Sequence, residues 1–490
     1  MKGERKYILS LLLVLMVTRV SAQNSQILYY MNLPQNHLVN PALRSSNSLY
    51  IGLPVLSGIN MNINNNFVNF SDVFMKAESS DSIITFLHPD YDVDDFIDKI
   101  YDKNSLEPEI AVQLFGLGFS VGKSSYVFLD ITERVDGNTV IPGNLLKLVL
   151  KGNEQFIGDK IDLSSLRGDL KYYREIGLGF SKDFSDKLRI GIKGKLLFGI
   201  AGASIDNRLL GITVNEDYSH TFDADLAVNI SGPVKVIMDE NQDIKSIDID
   251  DERFNTGSGI EDFLLSNKNM GLGFDIGATY NISEKLMVSA AITDIGYIRW
   301  KKEITNLKSK NQFEFSGLNM VDVVNRTKTF DEVADDMLDS LKNAFKVSRT
   351  SKPFTTWLPY GITLGGSYNL TDKFSVGLLS YSRIIGRQIR ESLTLSANVN
   401  LGNSLSTSLG YTFANHRVDN IGAGLAFRAG FFQFYMLADR IPIMWNKVII
   451  DDSTIPLPSC WNTVNLRLGM NIVFGNKVRE KNDKPMILVE

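Results

Sequence analysis

Three residue patterns in this chain have the types and spacing to do chemistry, and each depends on the element that would carry it. The string Gly118-Phe119-Ser120-Val121-Gly122 has the G-x-S-x-G form of a nucleophile elbow, in which a serine on a sharp strand-to-helix turn is served by a histidine and an acid. Here Lys123-Ser124-Ser125 and a second extended segment follow. The helix that the elbow requires is missing, so Ser120 reads as a strand residue between small neighbours, and Ser120→Ala is expected to have no hydrolase activity to abolish. Gly116, Gly118 and Gly122, and Gly271, Gly273 and Gly277, imitate a dinucleotide fingerprint at the wrong spacing and with no helix after them. They read as strand glycines that permit curvature or close approach.

Metal chemistry finds no better footing. His37, His88, His220 and His416 are scattered, with no pair at a ligand spacing. Asp248, Asp250, Asp251 and Glu252 form an acidic stretch without the glycine of an ordered calcium loop, which reads as a solvated loop. The single Cys460 excludes an intrachain disulfide framework, and its neighbours Pro456, Pro458 and Trp461 mark a packed loop. No catalytic residue, metal ligand or cofactor is assigned, and the chain is not expected to be an enzyme. What remains is a set of ionisable groups, Glu175, Lys193, Lys195, Asp275 and Arg467, which fall by phase on the polar faces of alternating segments.

Those segments decide the fold class. In residues 269–282 the even positions read Met270, Leu272, Phe274, Ile276, Ala278, Tyr280 and Ile282, and the odd ones are glycine or polar. Side chains of a strand alternate between its faces, so one face is apolar and the other small and polar. The pattern recurs at 392–401, 420–431 and 464–475, over lengths well above the usual strand of about 5–6 residues. Strands of about 10 residues with this repeat are the signature of a transmembrane barrel, one face to lipid and one to the lumen. A soluble β-sandwich also alternates, but it needs large residues inside and charges outside, and here the polar face is mostly glycine, serine and asparagine. The expectation is an all-β, antiparallel transmembrane β-barrel of about 14 strands with short helical insertions.

Three turns, Lys182 to Leu188, Asn281 to Leu286 and Asn369 to Phe374, look like variants of one hairpin, with Asn400 to Leu405 a fourth. Outer-membrane barrels keep short turns on the periplasmic side, which places both termini there. Strands are expected at 48–61, 106–121, 124–136, 168–183, 187–212, 268–282, 286–301, 357–370, 374–386, 391–401, 405–415, 420–429, 431–439 and 463–475, with a further pair open at 218–238. Segments 89–104 and 321–346 have helical apolar spacing, and Leu145 to Leu150 adds a short turn. They are candidates to plug the lumen or cap a mouth, and surface helices serve the pattern equally well.

Residues 1–22 read as a signal peptide. Lys2, Arg5 and Lys6 precede an apolar run from Tyr7 to Val17, and Val20-Ser21-Ala22 has the small-residue form of a cleavage site. The run is shorter than the ~20 residues of a spanning helix. Without residues 1–22, which carry Lys2, Arg5, Lys6, Arg19 and Glu4, the formal charge falls from −5 to −8. Nucleic-acid binding leaves a basic footprint, and there is none. The expected organisation is signal peptide 1–22, barrel 23–475 with an N-terminal periplasmic or plug segment at 23–47, and polar tail 476–490, located in the outer membrane of a Gram-negative cell.

Several short strings carry a resemblance. His37-Leu38-Val39-Asn40-Pro41-Ala42-Leu43, Ile131-Thr132-Glu133-Arg134, Thr293 to Trp300, Phe432-Gln433-Phe434-Tyr435 and Asn465 to Asn471 resemble an uncharacterised family of outer-membrane barrels. That family is similar to the long-chain fatty-acid transporters (FadL-like) and to the PorV-type barrels of the type IX secretion system. The resemblance implies an N-terminal segment tucked into the barrel, around Asn40 and Pro41, and a hydrophobic-ligand or secretion role. Many outer-membrane barrels end on an aromatic residue, whereas here Phe474 is followed by a polar tail. Two functions stay open: passive transport of a hydrophobic or small solute, and a non-conducting barrel that serves secretion or scaffolds a surface complex. The partners implied are outer-membrane lipid, a hydrophobic small molecule, and a secretion-system or lipoprotein partner.

Overall fold

Side chains that alternate in the sequence alternate in space. A computed structural model describes residues 26–76, 83–85, 88, 93–217, 219–238, 244–265, 268–315, 347–402, 404–414, 420–441, 445–450, 453–458 and 462–476. The expected signal peptide 1–22, the expected helical insertion 321–346, His416, Cys460 and the tail beyond Asn476 lie outside those residues. The wall is a closed, 14-strand antiparallel β-barrel.

Its strands are β1 (Asn47–Gly52, resuming at Ile59–Asn65), β2 (Lys103–Val121), β3 (Ser125–Pro142), β4 (Arg167–Asp183), β5 (Leu188–Val214), β6 (His220–Ser231, resuming at Asn269–Asn281) and β7 (Leu286–Trp300, resuming at Ile304–Phe315). There follow β8 (Ser348–Thr350, Phe354–Trp357 and Tyr360–Asn369), β9 (Phe374–Ile385), β10 (Gln388–Leu401), β11 (Leu405–Phe413), β12 (Ile421–Ala429), β13 (Phe432–Arg440) and β14 (Thr463–Asn476). The wall closes where β14 pairs with both halves of β1, Leu49 opposite Phe474 and Ile59 opposite Leu468. All connections at one end are turns of two to four residues, and Asn47 and Asn476 lie at that end. Ser120 sits mid-hairpin, opposite Tyr126, in uninterrupted strand.

The barrel is apolar outside and polar inside, the reverse of a soluble domain. Met270, Leu272, Phe274 and Ile276 are exposed on β6, as are Leu178 and Phe180 on β4 and Leu364 on β8, whereas Asn269, Asp275, Thr279, Thr363, Ser396 and Asn398 are buried. With no water in hydrocarbon, a closed ladder is what satisfies every backbone group of an extended wall. The outward side chains are then the lipid contact, and Tyr297 and Trp357, 5.6 Å apart, belong to its upper aromatic girdle.

β5 is long because it serves two partners in succession. Its lower half pairs with Asn269–Asn281 and its upper half, from Gly202, with His220–Ser231. The upper halves of β5, β6 and β7 therefore form a sheet that rises past the neighbouring strands. Residues 219–238, where a further pair was left open, supply the upper half of β6 and one strand of a small hairpin, Val234–Met238 with Ile244–Ile249. Leu145 and Leu148 of the helix Gly143–Lys151 pack against Leu210, Ile212 and Val214 of this extension. Segment 89–104 contains the helix Val93–Ile97, and its last residues already belong to β2.

Among the described residues the lumen is filled from the N-terminal side. Every residue from Gln26 to Leu43 is buried except half-buried Leu38. The segment makes the helix α1 (Gln26–Tyr30) and a 3-10 turn, Pro34–Leu38, and joins no sheet.

Candidate functional site

The inward faces of the strands hold two kinds of residue, small ones that seat the luminal segment and charged ones that meet above it. A Cβ on Gly277 would lie 2.1 Å from Asn40 Oδ1, and one on Gly191 would lie 2.2 Å from the Pro41 backbone. Of the glycines that imitated a nucleotide motif, Gly277 is the one on which Asn40 and Pro41 rest, and Gly116 and Gly118 make room for Tyr50. Gly365 and Gly377 make the same room for the rings of Tyr29 and Tyr30.

Polar side chains tie the segment to strands all round the wall. The Ile27 N–H donates to Asp439 (2.8 Å) and the Gln26 amide to Ser392 (3.0 Å). Tyr29 shares a 2.7 Å hydrogen bond with Ser289, and Gln35 and Asn471 bond reciprocally at 2.8 and 3.0 Å. The Asn40 amide donates to the carbonyls of Ala278 (3.3 Å) and Ala290 (3.4 Å). Arg44 closes the lower end on Ser181, Asp183 and the Ser124 carbonyl.

His37 links this segment to the charged layer. Its Nδ1 faces the Pro34 carbonyl at 2.6 Å and its Nε2 faces Asp130 at 2.7 Å. Asp130 also accepts from Gln113 (2.9 Å) and Tyr50 (3.3 Å) and pairs with Lys193 (3.3 Å). From Lys193 the pairs run on to Glu175 (3.0 Å), and from Glu175 to Arg134 (3.0 Å) and, more loosely, Lys195 (3.7 Å). Lys195 holds Asp275 (2.8 Å) and Asp294 (2.6 Å); Arg134 holds Asp294 (2.9 Å) and Glu109 (3.3 Å). Arg383 ends the chain of pairs on Glu109 (2.5 Å) and Asp136 (3.0 Å).

Of the ionisable residues singled out by phase, Glu175, Lys193, Lys195 and Asp275 thus meet in one network, and Arg467 lines the cavity beside it. Phase alone did not single out His37, Glu109, Asp130, Arg134, Asp136 or Arg383. Asp130, Arg134 and Asp136 share one parity on β3 with buried Phe128, a signal the sequence does contain. Asp294 is different. It sits at a bulge, where Asp275 breaks the register between β6 and β7, with φ +64 and its N–H donating to Asp275 Oδ1 at 2.6 Å. The bulge turns it out of the alternation.

The cavity has about 90 Å³ of room for water centres, enough for several waters at roughly 10–15 Å³ each. Glu109, Arg134, Lys195, Asp294 and Arg467 line it together with Leu38 and Val39 of the luminal segment. Asn60 and Thr363, also in its lining, keep buried side-chain atoms without a protein partner, and buried polar atoms are otherwise hydrogen-bonded. The cavity thus has the room and the polar atoms to hold water. Above it Trp300, buried against Tyr173, Leu197 and Ile298, donates to Thr356 at 2.9 Å and forms an apolar cluster on the inner side of β4, β5 and β7. Among the described residues no group of His, Cys, Asp or Glu is arranged to hold a metal ion. In the acidic stretch, Asp250 and Glu252 pair with Lys235 at 2.8 and 2.9 Å.

Among solved structures, the chain is similar to the Ralstonia pickettii toluene transporter TbuX (9% identity, 90% of this chain and 94% of that one, TM-score 0.38). It is also similar to a Pseudomonas aeruginosa FadL homologue (10%, 94% and 100%, 0.39) and the Pseudomonas putida toluene transporter TodX (8%, 93% and 98%, 0.37). No curated protein matches it. The model of a family of unknown function, DUF5723, matches residues 41–439, and the chain belongs to that family.

Proposed function

We propose that the protein is an outer-membrane channel that passes a small solute passively and is held shut at rest by residues 26–44. One observation carries this reading: the lumen is filled by a segment that shares no backbone ladder with the wall. It is held by side-chain hydrogen bonds, by the Arg44–Asp183 pair and by burial of Ile27, Leu28, Tyr29, Tyr30 and Met31 against the wall, and by no strand pairing, so its departure leaves the backbone ladder of the barrel intact. Its departure joins the cavity to the short-turn end. From the wall, Ala111 and Thr363 line that cavity beside Arg134, Lys195 and Arg467, so a small solute with a polar end fits it better than a wholly hydrophobic one.

Planar-bilayer conductance tests the reading on two variants. Deletion of residues 26–44 and Gly277→Val, whose side chain collides with Asn40, are both expected to conduct well above the wild type while retaining heat-modifiable mobility on gels. Folded variants that conduct no more than the wild type would sink it.

The second reading, a non-conducting barrel that scaffolds a surface or secretion complex, is favoured by the sheet formed above the wall by β5, β6 and β7. Cross-linking followed by affinity capture from membranes tests it, and the absence of a stoichiometric secretion or lipoprotein partner counts against it.

A further inference from the structure

The three matched hairpins at the short-turn end are built as copies. In each, an apolar residue precedes Ser or Thr, an acid and a lysine: Phe184-Ser185-Asp186-Lys187, Ile282-Ser283-Glu284-Lys285 and Leu370-Thr371-Asp372-Lys373. The hydroxyl of Ser185 accepts the N–H groups of Lys187 (3.3 Å) and Leu188 (3.1 Å). Ser283 does the same for Lys285 and Leu286 (3.3 and 3.1 Å), and Thr371 for Lys373 and Phe374 (3.2 and 3.0 Å).

The turns are also tied rim to rim. Asn281 N–H donates to the Lys187 carbonyl (2.8 Å), Asn369 N–H to that of Lys285 (2.8 Å) and Asn400 N–H to that of Lys373 (2.9 Å). The hairpins follow one another round the barrel, two strands apart, so the repeat distance is about 10 Å. The result is a fixed arc presenting one acid and one lysine per step.

Among the described residues nothing uses these charges. Lys187, Lys285, Lys373, Asp186, Glu284 and Asp372 are all exposed, and none of them forms an ion pair with a described residue. Phe184 (62% exposed), Ile282 (50%) and Leu370 (47%) stand immediately before them and continue the lipid-facing band. A large apolar residue followed within three positions by a lysine is the pattern of a membrane–water boundary.

We propose that each of these hairpins seats one phosphatidylethanolamine headgroup of the periplasmic leaflet, the lysine ammonium on the phosphate and the acid on the headgroup ammonium. Each step carries one charge of either sign, so the arc matches a zwitterion and not an anionic lipid. The headgroup must also donate N–H bonds to the carboxylate, which an ethanolamine ammonium does and a choline does not. Leu401-Gly402-Asn403-Ser404-Leu405, at the same rim, lacks both charges and seats none. This inference rests on the barrel and its orientation and is independent of whether the lumen conducts.

Native mass spectrometry of the full barrel released from nanodiscs of equimolar phosphatidylethanolamine and phosphatidylcholine, with matched acyl chains, tests it. The wild type is expected to retain up to three phosphatidylethanolamines and several-fold fewer phosphatidylcholines. The triple variant Lys187→Gln, Lys285→Gln, Lys373→Gln should lose that preference, and Lys123→Gln, on a different turn, should keep it. Equal retention of the two lipids by the wild type, preference for phosphatidylglycerol in a parallel nanodisc, or an unchanged preference in the triple variant would each overturn the proposal.

Discussion

Arg134 joins three luminal carboxylates, Glu109, Glu175 and Asp294, through one guanidinium. Removing one member of a buried ion pair costs about 3–5 kcal/mol where a charge is left unpaired. Because Glu109 keeps Arg383, Glu175 keeps Lys193 and Asp294 keeps Lys195, the loss belongs at the lower end of that range. Arg134→Ala is therefore expected to lower the unfolding free energy, read from urea titration of the heat-modifiable form, by about 3 kcal/mol. Lys160→Ala, which removes an exposed pair to Asp223, should cost about 0–1 kcal/mol. Similar losses in the two variants would show that the network is not what holds the lumen together. This scale was partly legible beforehand. Strand parity points Glu175, Lys193, Lys195 and Asp275 inward. Parity cannot say which inward charges meet, because the partners sit on strands far apart in sequence. His37 reads as an isolated histidine until the fold brings Asp130 to it, and Asp294 is hidden by the bulge that displaces it. Arg134 and Asp294 do stand inside the short strings that carry the family resemblance, so those strings mark the luminal charge layer as well as the wall.

At the scale of elements, the long apolar alternations give the barrel strands, because a lipid-facing strand has to keep its period over the full band. The parts that escaped were those where the period is interrupted. β1 breaks at residues 53–58, and β6, β7 and β8 are each assembled from separate segments, with the excursion 232–268 inserted midway in β6. Their junction is packed by Trp300, whose ring lies within 3 Å of where a Cβ would stand on Gly199 (2.6 Å) or Gly202 (2.5 Å). Both glycines lie where β5 exchanges its lower partner for its upper one. Gly202→Val forces the indole to move, an overpacking cost of about 1–3 kcal/mol, and the strain falls on the junction. Limited proteolysis of the variant is expected to cut the extension formed by residues 202–231 and 304–315 while the wall below stays intact. A digestion pattern identical to the wild type would mean that Trp300 does not brace it.

For the molecule as a whole, the governing fact is that exposure has two meanings on one surface. Leu196 and Leu209 lie on the same strand and are equally exposed, each at 44%. Leu196 stands between Ile176 and Leu272 on the flanking strands, within an apolar band of about 25 Å. Leu209 stands beside Asp225, in the extension above the point where β5 changes partners. If the band is the membrane boundary, an arginine at 196 meets hydrocarbon at a cost of about 2–4 kcal/mol, falling to about 0–1 near the interface, and an arginine at 209 meets water. Leu196→Arg should then lose most of its heat-modifiable form when refolded into lipid vesicles under urea, and Leu209→Arg should match the wild type. In detergent micelles, which adapt around a charge, the gap between the two should narrow. Equal penalties at both positions would place the extension in lipid with the rest of the wall, and would contradict an architecture in which β5 crosses the membrane with its lower half and leaves it with its upper.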